Sequence, residues 1–255
     1  MVWLWVSLVG ILLSVLYLVS LEPRISLVAP GSPLMFDSIA EKYDLGNQIL
    51  SLGMHKTWKT LLLHDLLVNN STSLLDLATG TGDVAVLART DFHAPFVMGL
   101  DPSEGMIAQA KLKTRGISDI LIGLGDARNL SSIPDCAYDR VSMSFGIRNV
   151  QGKDLALREM SRVVKDDGLV GIMEFVSPDE RTLLGFVAAI FLKSAVPFLG
   201  YLASGTGPEY HYLKESIVNF SPNFEHYIDT QGLEVIKTRR LLGGLIRIYI
   251  ARKSL

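Results

Sequence analysis

The sequence predicts an α/β fold in which helices cover both faces of a seven-stranded, mostly parallel sheet, preceded by an N-terminal membrane helix. Three observations support this prediction. Short apolar runs alternate with helical patterns from about residue 73 onward. A glycine-rich turn follows the first of these runs. Residues 1–21 contain no charged side chain.

The N-terminal run is long enough to cross a membrane. Residues 1–21 read MVWLWVSLVGILLSVLYLVSL, and a helix of this length spans ~30 Å, the thickness of a hydrocarbon core. Trp3, Trp5 and Tyr17 lie toward its two ends, where such rings favour the membrane interface. A cleaved signal peptide and a helix buried in protein are the alternatives. No Lys or Arg precedes the run, which disfavours a signal peptide.

The remaining chain divides into a linker and one domain. EPRISLVAPGSPL at 22–34 contains three prolines and one glycine, as is typical of a linker. Arg24 and Lys42 are the first basic residues, so the positive-inside rule predicts a membrane-anchored protein whose domain lies on the cytoplasmic or matrix side. The predicted parts are an anchor at 1–21, the linker at 22–34, and a domain at 35–255 with a helical lid at 35–68.

Five apolar runs with helical patterns between them predict the parallel strands. They are SLLDLA, FVMGLD, DILIGLGDA, RVSMSFGI and LVGIMEFV, between residues 73 and 176. LEVIKTRRLL and LIRIYIARK flank Gly243 and Gly244, and predict a β-hairpin that adds two strands. A second apolar stretch at 183–203 contains Lys193 and Pro197, so we expect a lipid-touching helix over the site rather than a second span. A core helix is the alternative.

Composition argues against several classes of function. The chain has 24 basic and 26 acidic residues with no basic block, so nucleic acid is not an expected partner. The single cysteine excludes an internal disulfide and a zinc site built from several cysteines. The five histidines show no HxH or HExxH spacing, and no metal is expected.

The glycine-rich turn GTGDVA at 80–85 indicates a ligand with a nucleoside. It fits the dinucleotide pattern G-x-G-x-x-G/A, a weak signal when taken alone. Asp83 at the start of the next helix would repel a pyrophosphate and favour a cationic ligand. Asp76 adds a second carboxylate, and Asp101 at the next strand end can take a ribose diol. S-adenosylmethionine, with an adenosine end and a cationic amino-acid end, meets these requirements.

Longer motifs carry a resemblance to a known family. LLDLATGTGD, GLDPSEGM and GDARNL are similar to the successive motifs of class I methyltransferases, which have a Rossmann-like fold. YDLGNQILSLGMHKTW, SFGIRNV and RVVKDDGLVGIMEF extend the likeness over roughly residues 35–251 to the UbiE/COQ5/MenG family, which C-methylates the ring of ubiquinone and menaquinone precursors. Three features depart from the family pattern: Gly46 replaces a methionine, Asp166-Asp167 replaces Pro-Gly, and an N-terminal membrane helix is not a standard part.

The resemblance implies S-adenosyl-L-methionine as the cofactor and a set of residues that bind it. Asp101 would take the ribose hydroxyls, Asp126 the adenine amino group, and Met106 would pack on the purine. The alternatives are a tight turn for the glycines and a core position for Met106. The implied set is Asp76, Thr79, Gly80, Thr81, Gly82, Asp101, Met106, Asp126 and Ala127.

The resemblance also implies a reaction that needs a fixed cation. A quinol ring carbon becomes nucleophilic when a neighbouring hydroxyl approaches phenolate, and a cation stabilises that anion. Arg148 is the expected cation, Asn149 a hydrogen-bonding partner, and Tyr43 a further candidate, so these three are the predicted catalytic residues. Alternatively, Arg148 pairs with a surface carboxylate such as Asp154, and Asn149 caps the helix that begins near Lys153.

Three functions remain open at this point. The first is a membrane-tethered C-methyltransferase acting on a prenylated quinol, in ubiquinone or menaquinone biosynthesis. The second is a methyltransferase of another lipid or phenolic acceptor. The third is a non-catalytic scaffold that keeps the cofactor pocket in a quinone-biosynthesis complex; a homo-oligomer is also compatible. Asn47, His55 and Trp58 complete the lid signature with Tyr43, and serve either the substrate or helix packing.

Overall fold

The computed structural model describes residues 29–190, 192, 208–221 and 223–254. The predicted anchor at 1–21 lies outside these described residues, as does most of the stretch 191–207. Within the described ranges, no helix combines the length and the apolar character needed to span a membrane.

Seven strands form one mixed sheet. They are β1 Leu74–Leu77, β2 Val97–Asp101, β3 Ile120–Leu124, β4 Tyr138–Ser144, β5 Val164–Phe175, β6 Leu233–Leu241 and β7 Ile246–Lys253. The order across the sheet is β3-β2-β1-β4-β5-β7-β6, and β7 is antiparallel to both of its neighbours. The predicted sheet and its C-terminal hairpin are therefore confirmed.

Helices cover both faces of this sheet, as the alternating pattern predicts. The α-helices of the described residues are α1 Pro33–Ile39, α2 Tyr43–Leu50, α3 His55–Asp65, α4 Asp83–Thr90, α5 Glu104–Lys113, α6 Lys153–Val163, α7 Leu183–Ile190, α8 Pro208–Val218 and α9 Phe224–Asp229. On one face, α3, α4 and α5 bury their apolar sides against residues such as Leu74 and Ile248. On the other face, α6 and α9 pack against residues such as Val141 and Tyr249.

The fifth strand begins earlier than the sequence suggests. The apolar run LVGIMEFV predicts a strand from Leu169, yet the strand already begins at Val164 and includes Asp166 and Asp167. The register against β4 shifts there, from Tyr138 opposite Val164 to Arg140 opposite Leu169. This is a bulge, which takes up extra residues without ending the strand. Gly168 permits it, because a Cβ there would lie 2.8 Å from the Asp139 carbonyl oxygen.

The strand order places the candidate site. Successive strands are added on one side of β1 up to β3 and on its other side from β4 onward, so the strand order reverses between β1 and β4. Ligands of open α/β sheets bind at such a switch point, outside the carboxyl ends of the strands. Each strand is followed directly by a residue of left-handed conformation, Ala78 at φ 50° and Phe145 at φ 57°. These turns lead the chain away from the sheet, so β4 ends at Ser144 rather than continuing to Ile147.

Candidate active site

The glycine loop after β1 opens a cavity at the strand ends. Gly80 has φ 56° and Gly82, at the start of α4, has φ 85°, a backbone region that favours glycine. A Cβ on Gly80 would lie 3.9 Å from the Tyr43 ring, within the space between loop and lid. The loop therefore needs glycine for its turn, whereas the space above Gly80 would admit a Cβ.

Asp101 holds this loop at the end of β2. Its Oδ2 accepts the Gly80 backbone N–H at 2.9 Å, and its Oδ1 accepts the Ser103 backbone N–H at 2.9 Å. Burial raises the pKa of Asp101, while these two N–H groups favour its charged form. A carboxylate offers about four acceptor positions. Two remain for a pair of hydroxyl groups, as the prediction for ribose requires.

A cavity of about 270 Å³ lies in front of Asp101. Four further predicted cofactor residues line it together with Asp101: Gly80, Met106, Asp126 and Ala127. Met106 is placed by its helix, because Ser103 caps α5 and accepts the Met106 N–H at 3.1 Å. The cavity thus combines a carboxylate with apolar walls, and this combination fits an adenosine.

Asp76 is buried and holds the loop through a hydrogen bond from Thr79. It does not line the cavity, because Thr79 Oγ1 and Ser142 Oγ each donate to its carboxylate at 2.6 Å. Burial raises the pKa of Asp76 to about 6. Thr79 and Thr81 face the second cavity described below. A direct contact of Asp76 with the cofactor stays a prediction.

Asp126 reaches the cavity but already has a partner. Arg128 donates from Nε to both carboxylate oxygens at 3.0 Å and from Nη2 to Oδ2 at 2.5 Å. An adenine amino group would share these oxygens with Arg128. This role therefore also stays a prediction.

Asp83 does not carry the role that its position in the sequence suggests. Lys59 and Lys113 donate to its two oxygens at 2.7 Å and 2.5 Å. Burial opposes its charge, but the two ammonium groups hold its pKa well below the usual range. The carboxylate thus balances two lysines, and its contacts give no support to the expectation that it attracts a cationic ligand.

Acidic side chains fasten the lid helices to the cofactor loop. Asp44 of α2 accepts the Thr81 hydroxyl at 2.6 Å and forms an ion pair with Lys113 at 2.6 Å. Asp37 of α1 accepts the Ser103 hydroxyl at 2.5 Å and the Gly105 N–H at 2.8 Å. The lid is therefore held to the glycine loop and to both ends of α5.

A second cavity of about 590 Å³ lies beneath the lid and shares a wall with the first. Tyr43, Phe145 and Asn149 line both cavities. The second cavity is mainly apolar, and its walls include Leu50, Trp58, Phe175, Leu213, Ile217 and Leu245. Phe145 and Phe175 stack with ring centroids 4.6 Å apart. A flat, apolar ligand would thus lie directly beside the cofactor.

Arg148 lies in the wall of this second cavity, next to a buried carboxylate. Its guanidinium forms an ion pair with Glu174 of β5, which is fully buried, and Nε donates to Ser216 Oγ of α8 at 2.9 Å. Burial raises the pKa of Glu174, and the Arg148 charge opposes that rise. The alternative of a surface pair with Asp154 is wrong, since Asp154 pairs with Arg158 at 3.8 Å.

Asn149 is held by α8 rather than by the following helix. Its Oδ1 accepts the Tyr212 hydroxyl at 2.8 Å. Helix α6 starts after Gly152, which has no side chain to cap it, so the capping alternative for Asn149 is wrong. Sequence reasoning missed Tyr212, Ser216 and Glu174. A carboxylate inside an apolar strand was a usable signal for Glu174, whereas nothing in the local pattern singled out the two hydroxyls.

The lid supplies a phenol and an imidazole to the same cavities. Desolvation raises the pKa of Tyr43 to about 12, so its hydroxyl stays protonated and can donate. Burial lowers the pKa of His55, whose Nδ1 lies 2.9 Å from Ser51 Oγ. Trp58 packs edge-on against Phe145 at 6.3 Å. His55 and Trp58 both line the second cavity, and Trp58 also belongs to the core under α3, so their role in binding the substrate stays a prediction.

Known proteins share this fold and much of this sequence. A structure of an S-adenosylmethionine-dependent methyltransferase from Aquifex aeolicus superposes with a TM-score of 0.60, at 15% identity over 88% of this chain and 99% of that one. A demethylmenaquinone methyltransferase from Thermotoga maritima is 40% identical over 186 residues, 73% of this chain and 80% of that one. One from Bacteroides fragilis is 35% identical over 224 residues, 86% of this chain and 91% of that one.

The family profile described as the ubiE/COQ5 methyltransferase family matches residues 33–253. That range contains all seven strands, the lining of the larger cavity, and the lining of the smaller cavity except Gly31 and Ser32. The chain therefore belongs to the ubiE/COQ5 methyltransferase family, and it is an S-adenosyl-L-methionine-dependent methyltransferase.

Proposed function

We propose that the protein methylates a ring carbon of a prenylated quinol, with a demethylated naphthoquinol of menaquinone biosynthesis as the first candidate. The observation that carries this proposal is the apolar cavity of about 590 Å³ beside the cofactor cavity. Its stacked Phe145 and Phe175 suit a planar ring, and its aliphatic residues suit the start of an isoprenoid tail. Similar proteins named demethylmenaquinone methyltransferase favour the naphthoquinol.

The cofactor, when bound, supplies an activated methyl group together with its own leaving group. The chain must therefore orient the acceptor and exclude water. Asp101 and Met106 would hold the adenosine in the first cavity, and Tyr43 and Phe145 would bring the acceptor against it from the second.

Arg148 is the cation that would stabilise the acceptor's phenolate. Glu174 and Ser216 fix Nη1 and Nε, and no hydrogen bond within the described residues uses Nη2. This nitrogen can therefore meet a ligand oxygen in the cavity. Arginine stays protonated and cannot take the proton itself. We propose His55 as the group that takes this proton. Burial lowers its pKa and so favours the neutral imidazole, and the residue lines the same cavity.

A labelling experiment tests this function. The purified protein is given cofactor with a labelled methyl group, together with demethylated naphthoquinol or benzoquinol of equal tail length. We expect label on a ring carbon, with the naphthoquinol preferred. Label on oxygen, or transfer to an unrelated phenol or lipid alone, would favour a methyltransferase of another lipid or phenolic acceptor. Cofactor binding without any transfer would favour a scaffold within a quinone-biosynthesis complex.

A further part of the proposal concerns the membrane. We place an anchor at 1–21 and a linker at 22–34 before the domain at 35–255, which then lies on the cytoplasmic or matrix side. The support is the uncharged run of anchor length in the sequence. Association with other quinone-biosynthesis enzymes or with a second copy stays a prediction.

Deleting residues 1–24 is expected to release the protein from membranes while turnover of a short-tailed quinol remains near that of the full chain. The physical reason is that the apolar run alone supplies a span, whereas the site is built from residues of the domain. Sedimentation of membranes in high salt measures the first effect, and label transfer measures the second. Full retention of the truncated protein on membranes in high salt would place the anchor elsewhere, with the apolar stretch 183–203 as the next candidate. Loss of folding would make the run part of the core.

A further inference from the structure

Helix α7 has an apolar side that faces outward. Its sequence LLGFVAAI contains no charged residue. Gly185, Ala188 and Ala189 are the buried residues of this helix and form its inner side. We define the outer face of α7 by its exposed residues, with their exposed fractions: Leu183 80%, Leu184 69%, Phe186 50%, Val187 55% and Ile190 50%.

The inner side of α7 packs against wall residues of the second, larger cavity. Ala188 packs in one cluster with Ile217 and Leu245, which also line that cavity. The helix also lies directly on the turn Leu242–Gly244, where a Cβ on Gly243 would lie 2.6 Å from the Leu184 carbonyl oxygen. Leu242 of this turn lines the cavity and is itself 42% exposed. Apolar surface is therefore continuous from the cavity wall to the outer face of α7.

The described chain begins close to the same cavity. Gly31 contacts Tyr212 so tightly that a Cβ on it would lie 2.1 Å from the phenol oxygen, and Tyr212 lines the larger cavity. Seven residues, 22–28, separate residue 29 from the uncharged run at 1–21. The eight Cα steps from residue 21 to residue 29 span at most ~29 Å at ~3.6 Å each, so an anchor formed by that run would be tethered by a short linker to this part of the domain.

We propose that the outer face of α7 inserts into the acyl-chain region of a lipid bilayer and forms the passage by which the acceptor's prenyl tail leaves the larger cavity. This inference rests on the proposed function, because a prenylated quinol is dissolved in the bilayer. A tail that left the cavity anywhere along charged surface would be exposed to water. Along α7 it meets only apolar side chains and then lipid. A layer of lipid also accounts for five large apolar side chains left in contact with solvent.

A polarity-sensitive fluorophore tests the lipid contact directly in the full-length protein. Cys136→Ser removes the single cysteine, and Val187→Cys then provides one labelling position on the outer face of α7. Leu155→Cys is the matched control, because Leu155 is 48% exposed but lies on α6, on a different part of the surface. The protein is bound to vesicles of phosphatidylcholine and phosphatidylglycerol, with or without bromine atoms on the acyl chains.

We expect the probe at position 187 to shift to shorter wavelengths on vesicles and to be quenched by brominated acyl chains, whereas the probe at position 155 does neither. A probe at 187 that stays in a water-like environment on vesicle-bound protein overturns the proposal. A probe that is already shielded without vesicles also overturns it, because protein rather than lipid then covers the face.

A kinetic comparison tests the passage for the tail. Val187→Glu places a charge on the outer face of α7, where transfer into hydrocarbon is costly, so kcat/KM for a long-tailed quinol in vesicles should fall about tenfold or more. Turnover of a short-tailed, water-soluble quinol should be unchanged, and Leu155→Glu should affect neither. Equal losses for both tail lengths would contradict the passage. Absence of methyl transfer to either quinol in the unmodified protein would instead contradict the proposed function, while the fluorescence result stays informative.

Discussion

Replacing Arg148 with alanine is expected to lower kcat by about 10²- to 10³-fold, the loss typical when one stabiliser of a developing anion is removed. The guanidinium lies in the wall of the larger cavity, with Nη1 and Nε fixed by Glu174 and Ser216. Cofactor affinity should remain near native, because Arg148 does not line the cofactor cavity. Single-turnover label transfer and calorimetric cofactor binding measure the two quantities.

Because Arg148 forms an ion pair with the buried Glu174, the experiment needs variants that also change Glu174. Removing Arg148 alone leaves a buried carboxylate without its cation, at a cost of roughly 3–5 kcal/mol in stability. The double variant Arg148→Ala with Glu174→Gln avoids this charge, and Glu174→Gln alone is its matched control. Arg148→Lys keeps the charge without the planar fork, so we expect partial activity.

The same pair predicts a pH dependence of stability for Arg148→Ala. Burial raises the folded-state pKa of Glu174 above its unfolded value, and loss of the guanidinium removes the charge that opposes this rise. A neutral Glu174 is tolerated in the core, so the stability deficit should be small at low pH. It should grow as pH rises through the folded-state pKa. Urea unfolding at about pH 5 and pH 8, compared with the Glu174→Gln double variant, measures this difference.

Higher pH should raise the activity of the double variant Arg148→Ala with Glu174→Gln, although it lowers the stability of Arg148→Ala. Bulk hydroxide ionises more of the quinol, so part of the lost kcat should return between about pH 7 and pH 9. The unmodified protein should gain less, because Arg148 already favours the phenolate. Full activity of the double variant at neutral pH would show that Arg148 and Glu174 serve only to hold the strand ends together.

Asp101→Ala is expected to weaken cofactor binding by about 10- to 100-fold, which corresponds to the loss of charge-assisted contacts of about 1.5–3 kcal/mol. Asp101 lies at the end of β2 in the cofactor cavity, where its free acceptor positions suit a pair of hydroxyls. Asp101→Asn should lose less than the alanine variant, because it keeps one carbonyl oxygen for the loop or the ligand. Calorimetry with the cofactor measures the dissociation constants.

A control separates direct binding from collapse of the loop, because Asp101 also accepts the Gly80 and Ser103 N–H groups. Ser103→Ala removes a neighbouring hydroxyl that caps α5 but retains that backbone N–H. Its effect on affinity should be much smaller than that of Asp101→Ala. An unchanged dissociation constant in Asp101→Ala would show that this strand end does not bind the cofactor.

The sequence by itself determined the layered fold and the location of the cofactor loop. Alternating apolar and helical patterns define each element from neighbours two to four residues apart, so they can be recognised without tertiary contacts. The loop is equally local, because Gly80 and Gly82 need a backbone region that few other residues adopt. The early start of β5 was not recognisable, since a bulge depends on the register of β4 beside it.

Only the tertiary structure decided how the charged residues are paired. Arg148 meets Glu174 across 26 residues of chain and Ser216 across 68, and Asn149 meets Tyr212 across 63. Asp83 meets Lys59 and Lys113 on two other helices, and these contacts change its expected role. Such partners share no sequence period, because their distance is set by the order of strands in the sheet and by the helices that fold over it. A side chain's identity shows what chemistry it can perform, whereas its neighbours in space decide which charge remains available to a ligand.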